Sequence, residues 1–180
     1  MSMELIGAEH LGEFYSPAEA ARARRKSLEE IVGILPWIAT IDAFQHWIYT
    51  NPNHSRDQRA QAWLNLHERF GPVVDYSGFE ENLRTSWHRQ LHLFEVPFYY
   101  IEYGIAELGA LQVWQRAAED TPQAVADYQA ALALGGSRPL PELFEAAGIR
   151  FDFSAETIKP LMDALLEELD RLSEMENADR

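Results

Sequence analysis

Two histidines stand close together at the start of an aromatic-rich stretch, WHRQLHLFEVPFYYIEYGIAELGALQVW, which begins at Trp87. His88 and His92 are four residues apart, so they share a face if this segment is helical. That is the spacing of the first two ligands in an HExxH zinc helix. The residue after His88 is Arg89, where hydrolysis would need a glutamate base, and zinc needs at least one more ligand than two histidines. The alternative is one surface histidine and one buried, hydrogen-bonded histidine.

Tyrosines follow on the far side of a proline. Pro97 can open a new helix, because its missing N–H would be unsatisfied there in any case. Tyr100, Tyr103 and Glu107 then fall at helical spacing and form one stripe. A phenol aimed at a substrate oxygen can stabilise negative charge that develops on it. Ordinary core packing with satisfied hydroxyls is the alternative for these tyrosines.

Helix start signals divide the first half of the chain. Residues 16–19, Ser-Pro-Ala-Glu, form a capping box with proline at the first helical position, and predict a helix towards Tyr49 that Pro36 kinks or divides. Residues 55–58, Ser-Arg-Asp-Gln, form a second capping box before a helix to about Phe70.

Five further helices are predicted in the second half. They run from Phe79 to His92, from Pro97 to about Ala118, from Asp120 to the glycine pair at 135–136, from Pro139 to Gly148, and from Ser154 to about Leu172. No segment alternates as a strand would, and neither a glycine-rich phosphate loop nor an internal repeat is present. The sequence predicts an all-α fold, a multi-helix bundle of about six to eight helices. A chain of 180 residues predicts one helical domain over 1–180.

Charge and composition exclude several classes of partner. The 29 acidic residues outnumber the 15 basic ones, for a formal charge of −14, which argues against nucleic acid and anionic membrane surfaces. No cysteine is present, which fits a cytoplasmic protein and excludes disulfides. No signal peptide and no apolar run suited to spanning a bilayer is expected. The basic run 18–26 and the acidic residues Glu167, Glu168 and Asp170 are expected on solvated helix faces.

Four segments carry a resemblance to a known family. HLFEVPFYYIEYGIAELGALQVW resembles the closing signature of the M3 metallopeptidases, in the oligoendopeptidase F branch. PWIATIDAFQHWIYTNPNHSRDQRAQAW, DYSGFE and LPELFEAAGIRFDFS are similar to that branch in the same order, so the resemblance covers Met1 to about Leu172. It implies the C-terminal helical part of a zincin-type peptidase. Residues 1–5 resemble those just after the family's third zinc ligand, so the HExxH helix and every metal ligand would be missing. Glu4 matches a family glutamate near the site but not a ligand.

The resemblance also implies roles for particular side chains. In the family, a histidine before the tyrosine-rich segment and tyrosines within it hydrogen-bond the substrate and the oxyanion. By position these are His92, Tyr100 and Tyr103, with Tyr99 as the alternative to Tyr100. The substrate-binding candidates are Tyr99, His46, Tyr49 and His88, and no residue of this chain is expected to bind metal.

Three hypotheses for function follow. The first is the C-terminal portion of a zinc-dependent oligoendopeptidase that acts on short peptides; zinc would belong to the intact enzyme, and this chain would be inactive without an upstream catalytic segment. The second is a non-catalytic helical module that binds peptides or forms a homodimer. The third is a ferritin-like carboxylate bundle, which needs Glu-x-x-His pairs. No such pair is found, since Glu9 adjoins His10 directly.

Overall fold

A computed structural model describes the backbone of residues 1–178 and the side chains up to Glu176. This part of the chain contains eight α-helices and no strand, so the predicted all-α bundle is confirmed. The helices are α1 Ser2–Gly7, α2 Pro17–Thr50, α3 Arg56–Phe70, α4 Glu80–Thr85, α5 His92–Glu95, α6 Ile101–Leu134, α7 Leu140–Ala146 and α8 Ala155–Ala178. Short 3₁₀ segments cover Ala8–Glu13, Ser86–Arg89 and Gly135–Ser137.

Both capping boxes form as predicted. The Ser16 hydroxyl accepts from the Glu19 N–H at 3.4 Å, and the Glu19 carboxylate accepts from the Ser16 N–H at 3.1 Å. The matching contacts between Ser55 and Gln58 measure 3.2 and 2.8 Å. Each box satisfies backbone donors that the first turn of a helix leaves free. Pro36 lies inside α2 without dividing it, so of the two predicted alternatives the division does not occur and the kink stays a prediction.

The predicted helix from Phe79 to His92 is wrong, because three short segments replace it. Buried Trp63 is the physical reason: its indole N–H donates to the Leu83 carbonyl and to the Ser86 hydroxyl, each at 3.0 Å. Those bonds draw the end of α4 onto α3. The 3₁₀ turn that follows then buries Trp87 in the core.

The helix expected to open at Pro97 starts instead at Ile101. The break expected at residue 120 is confirmed, since Asp120 has non-helical angles of φ −150° and ψ 87° within α6. Its carboxylate accepts from the Gln123 N–H at 3.1 Å, as an N-cap does. Gly148 follows α7 at φ +69°, the left-handed conformation of a helix stop.

The chain divides into two compact units, each with its own core. Unit 1 comprises Met1–Ile31 and the chain from Ile105 onward, and unit 2 comprises Val32–Gly104. That the two fold together as one domain over 1–180 stays a prediction.

Unit 1 is built on apolar packing and on ion pairs between α2 and α8. Its hydrophobic cluster contains the buried residues Ile6, Val113, Ala117 and Ala124. Arg24 donates to Glu168 at 2.9 Å, and Arg22 and Arg25 both donate to the buried Glu176 at 3.1 Å. The expectation of solvated faces agrees with the exposed Arg22 and Lys26 and with the exposed Glu167 and Asp170. It is wrong for Glu168, whose side chain is 15% exposed and meets Arg24 across two helices.

Unit 2 has an aromatic core. Ile41, Phe44, Ala62, Trp63 and Trp87 are buried together. The Phe44 ring lies 5.1 Å from that of Trp63 and 5.5 Å from that of Trp87, within the range of favourable aromatic contacts. This core fixes the segment that leads into the tyrosine-rich stretch.

Helix α2 is long and apolar enough to cross a bilayer by length and composition, with a mean hydropathy of 1.2 over its best 18-residue window. The expectation that the chain lacks such a run is wrong in that respect. Ile38, Ile41 and Phe44 of α2 are almost fully buried, so packing within the protein accounts for apolar residues of this helix.

Candidate functional site

A tight turn connects α5 to α6 and sets the direction of the tyrosines. The Tyr99 N–H donates to the Val96 carbonyl at 3.2 Å, with Pro97 and Phe98 at the two central positions. Phe98 has φ +62°, so the turn resembles type II, in which the third position favours glycine. Left-handed backbone costs a residue with a side chain about 1–2 kcal/mol. The sequence therefore places a bulky ring where glycine would be relaxed.

The turn brings three tyrosines to one histidine, forming what we term the His–Tyr cluster: His92, Tyr99, Tyr100 and Tyr103. The His92 ring centroid lies 4.8 Å from that of Tyr100, 5.9 Å from that of Tyr103 and 6.3 Å from that of Tyr99. The Tyr103 ring also lies 5.2 Å from Tyr100 and 5.8 Å from Tyr99. All of the candidates around the tyrosine-rich segment are thus brought together.

A hydrogen bond assigns the tautomer of His92. Nε2 of Gln90 lies 2.7 Å from Nδ1 of His92. A side-chain amide nitrogen can only donate, so in this assigned amide orientation Nδ1 accepts and the proton of the neutral ring lies on Nε2. His92 can therefore present an N–H donor to another oxygen.

The three tyrosine hydroxyls of the cluster make no hydrogen bond to any other described residue. Tyr99 and Tyr103 are more than one-third exposed, and Tyr100 and His92 are partly exposed. The core-packing alternative, in which these hydroxyls are satisfied internally, does not describe them. Four donors are instead available from one small surface.

A second group of rings forms around Phe98, the left-handed residue of the turn. The Phe98 ring lies 5.0 Å from that of His46 and 5.1 Å from that of Tyr49, both on the last turns of α2. Nε2 of His46 lies 3.5 Å from the carboxylate of Asp42. His46 and Tyr49 therefore lie around Phe98, one residue before the His–Tyr cluster in the chain.

His88 lies apart from both groups. It is exposed, and its ring lies against its neighbour Trp87 at 4.0 Å. His88 belongs to a 3₁₀ segment and His92 to the next helix, so the two do not share a helical face. Its role in substrate binding stays a prediction.

The described side chains do not fit a zinc ion. Among them, no group of three or more His, Cys, Asp or Glu residues could hold a metal. Zinc in proteins takes three or four such ligands, so the described part of the chain does not supply a zinc site by itself.

Glu107, the third member of the predicted stripe, belongs to unit 1. Its side chain is buried, with the residue 6% exposed, and Oε2 has no hydrogen-bond partner among the described residues. Burial raises the pKa of the Glu107 carboxyl; the N-terminal ammonium opposes this, and the Glu4 carboxylate adds to it. The buried carboxyl therefore destabilises the folded state when it is charged. Because Glu107 is buried, it does not add to the exposed hydrogen-bond donors of the His–Tyr cluster.

Unit 1 also holds a cavity of about 480 Å³. Its walls are mainly apolar, with Val113, Leu143 and Phe144 among them, and none of its lining side chains is acidic or a histidine. It offers space for an apolar group but no acid–base chemistry.

Phe98 is the residue that sequence reasoning missed. The residue type did not indicate a role in the site, because a phenylalanine beside two tyrosines is common in an apolar stretch. Pro97 was the available signal: proline favours the second position of a type II turn as well as the start of a helix.

Comparison with known proteins places this geometry in context. The model of Peptidase family M3 matches residues 1–163. A solved structure described as an oligoendopeptidase F is 35% identical, with a TM-score of 0.78 over 84% of this chain. PZ peptidase A, solved with an inhibitor, is 30% identical with a TM-score of 0.86 over 97% of this chain. An oligoendopeptidase F assigned in Bacillus anthracis str. Ames is 27% identical over 97%, with a TM-score of 0.73.

The chain spans only part of those structures: 27% of the first, 31% of the second and 28% of the third. No curated protein matches the sequence.

Proposed function

The chain belongs to Peptidase family M3, and we propose that it corresponds to the C-terminal portion of a zinc-dependent oligoendopeptidase that hydrolyses short peptides. The likeness to an oligoendopeptidase F supports the branch. The ground for the C-terminal position is the resemblance of the tyrosine-rich stretch to the family's closing signature. The family is generally zinc-dependent. The zinc ligands would lie on residues outside this chain, because those described here do not fit a metal.

One observation carries the proposal: three tyrosine rings lie within 6.3 Å of the His92 ring, and their hydroxyls have no hydrogen-bond partner among the described residues. Peptide hydrolysis develops negative charge on the carbonyl oxygen of the scissile bond. Donors fixed before the reaction stabilise that charge without reorganisation. His92 Nε2–H and the hydroxyls of Tyr100 and Tyr103 would supply these donors, with Tyr99 as the alternative to Tyr100.

Substrate contacts would come from the neighbouring side chains. Tyr99 of the cluster could bind the peptide backbone, while His46 and Tyr49 contact Phe98, the residue that precedes Tyr99. His88 remains a candidate for a more distant contact. The partners would be short peptides and the upstream catalytic segment, and the absence of cysteine supports a cytoplasmic location.

A fluorogenic peptide assay tests this proposal. We expect no hydrolysis by the isolated chain, with or without added zinc, since its described residues include no metal site that could generate the nucleophile. Fusing it to the remainder of an oligoendopeptidase F should restore zinc-dependent hydrolysis. Cleavage by the isolated chain that a chelator stops would contradict the proposal, as would an inactive but folded fusion.

A non-catalytic module that binds peptides or dimerises is the second candidate. The apolar cavity of unit 1 favours it, together with the exposed side chains of Leu132 and Leu140 on its wall. Light scattering across a concentration series would reveal a dimer. A Leu132→Glu variant should remain monomeric if this surface forms the interface.

A further inference from the structure

Phe98 adopts a conformation that its side chain disfavours. It is the one described non-glycine residue in the left-handed region, at φ +62°. Strained backbone at a bulky residue persists only where the surroundings hold it, and often marks a site where the side chain has a function. Glycine would form the same turn without strain. The presence of phenylalanine rather than glycine at this position therefore needs an explanation.

Core packing does not supply one. Phe98 is 37% exposed, and neither it nor its two ring contacts belongs to the hydrophobic cluster of unit 2. Tyr49 is 54% exposed, and the side chain of His46 is 65% exposed. The Phe98 ring contacts each of the other two rings at about 5 Å, and all three side chains leave much of their surface uncovered.

The location of these rings suggests what they contact. Tyr99, the next residue after Phe98, lies in the His–Tyr cluster. Successive residues of an extended peptide advance by about 3.3 Å, so a peptide carbonyl held at the cluster has neighbouring side chains within a few ångströms. Aromatic rings recognise aromatic and large apolar groups through edge-to-face and offset contacts.

We propose that Phe98, His46 and Tyr49 form a subsite for an aromatic or large apolar side chain of the peptide whose carbonyl the His–Tyr cluster binds. Phe98 is the specificity-determining residue, and the strained turn that precedes Tyr99 holds its ring against His46 and Tyr49 of α2. This inference rests on the proposed function and adds the class of peptide side chain selected.

Binding of capped tetrapeptides to the full chain tests the subsite. The probes are N-acetylated, C-amidated tetra-alanine and four versions with one phenylalanine, one for each position. Dissociation constants come from NMR titration, with the ring resonances of His92 and His46 as reporters. We expect phenylalanine at one position to tighten binding about three- to tenfold over tetra-alanine.

The Phe98→Gly variant should lose that preference, because glycine removes the ring while fitting the turn. The Tyr49→Ala variant should weaken the preference independently, should Phe98→Gly fail to fold. Phe79→Ala, which removes another exposed phenylalanine of unit 2, is the matched control and should keep it.

Three outcomes would overturn the inference. Equal binding of all five peptides by the wild type would remove the subsite but leave the proposed function intact, and so would a preference that survives both Phe98→Gly and Tyr49→Ala. Failure of every peptide to bind at millimolar concentration would overturn the proposed function together with the inference.

Discussion

Tyr100 is the phenol closest to the His92 ring, and its hydroxyl has no partner among the described residues. In a fusion that completes the peptidase, Tyr100→Phe should lower kcat by about 10²–10³, the typical loss for one oxyanion donor. KM should change less, because the lost bond strengthens only as charge develops. Steady-state kinetics on a fluorogenic peptide measure both.

Tyr15→Phe is the matched control for that measurement, since Tyr15 is an exposed phenol of unit 1. It should leave kcat unchanged. If Tyr100→Phe keeps full activity and Tyr99→Phe loses it, the oxyanion role belongs to Tyr99, the alternative that the family resemblance implies. Full activity in both variants would remove the oxyanion role from these two residues.

Glu107 should weaken the fold at neutral pH. Burial raises the pKa of its carboxyl, so the folded state favours the protonated form. Stability from this group is present below the pKa of the unfolded chain and is lost as pH rises through the folded-state pKa. Glu107→Gln should therefore raise stability at pH 7, because glutamine occupies the buried position without a charge.

Urea unfolding of wild type and Glu107→Gln at pH 4 and pH 7 gives this difference. The gain should shrink at pH 4, where the wild-type carboxyl is more protonated. Glu102→Gln, an exposed position on the same helix, is the control and should have little effect at either pH. A Glu107→Gln variant less stable at pH 7 would show that the carboxylate is stabilised by a partner.

At the residue scale, the sequence could predict which side chains meet but not all that shapes the site. His92 and the tyrosines were predicted by resemblance, and their rings lie together. The φ of Phe98 could not be predicted, because a left-handed phenylalanine contradicts its intrinsic preference and is imposed by the surrounding fold.

At the scale of elements, the stop after α7 depends on a glycine and an arginine together. A Cβ at Gly148 would meet the Arg116 guanidinium. That guanidinium donates to the Ala147 carbonyl and to Asp127, each at 2.6 Å. Gly148→Ala therefore adds a steric conflict to the strain of its φ of +69°.

Substitution of Gly135 separates the backbone strain from the steric conflict, since Gly135 has φ +54° and open space where a Cβ would lie. Gly135→Ala should cost about 1–2 kcal/mol from backbone strain alone. Gly148→Ala should cost on the order of 1 kcal/mol more, because the bond to the Ala147 carbonyl is disturbed. Equal losses in chemical denaturation would show that Arg116 moves aside freely.

The helix starts that the sequence could predict are those set by residues close together in the chain. The capping boxes at Ser16 and Ser55 fix the starts of α2 and α3 through residues three apart in sequence. The interruption of the predicted helix 79–92 depends on Trp63, about 20 residues away, whose indole N–H binds the Leu83 carbonyl. Periodicity within a segment carries no information about such a contact.

The ion pairs between α2 and α8 illustrate the same limit over a longer range. Arg22 and Arg25 meet Glu176 more than 150 positions along the chain. In sequence, each run resembles a solvated face, because opposite charges on separate helices give no local pattern. Tertiary pairing explains why Glu176 is buried and why its pKa is lowered, first by the Arg22 hydrogen bond.

At the scale of the whole molecule, the chain presents the donors that we propose for a developing oxyanion, and its described side chains include no group of three or more His, Cys, Asp or Glu residues that could hold a metal. Zinc should therefore not bind it tightly. A ligand present at 100 times its dissociation constant stabilises a protein by about 2.7 kcal/mol. For a chain of this size that corresponds to a rise in Tm of roughly 5–10 °C. We expect no such rise when zinc is added to the isolated chain.

Calorimetry and thermal unfolding with zinc or EDTA make this measurement, and the fusion with the remainder of an oligoendopeptidase F is the positive control. The fusion should bind one zinc ion and lose stability in EDTA, because its added segment would supply the ligands. Stoichiometric binding by the isolated chain would contradict the prediction. Its loss in a His88→Ala, His92→Ala double variant would then locate the metal at the histidine pair, and the cluster would be a metal site rather than a set of free donors.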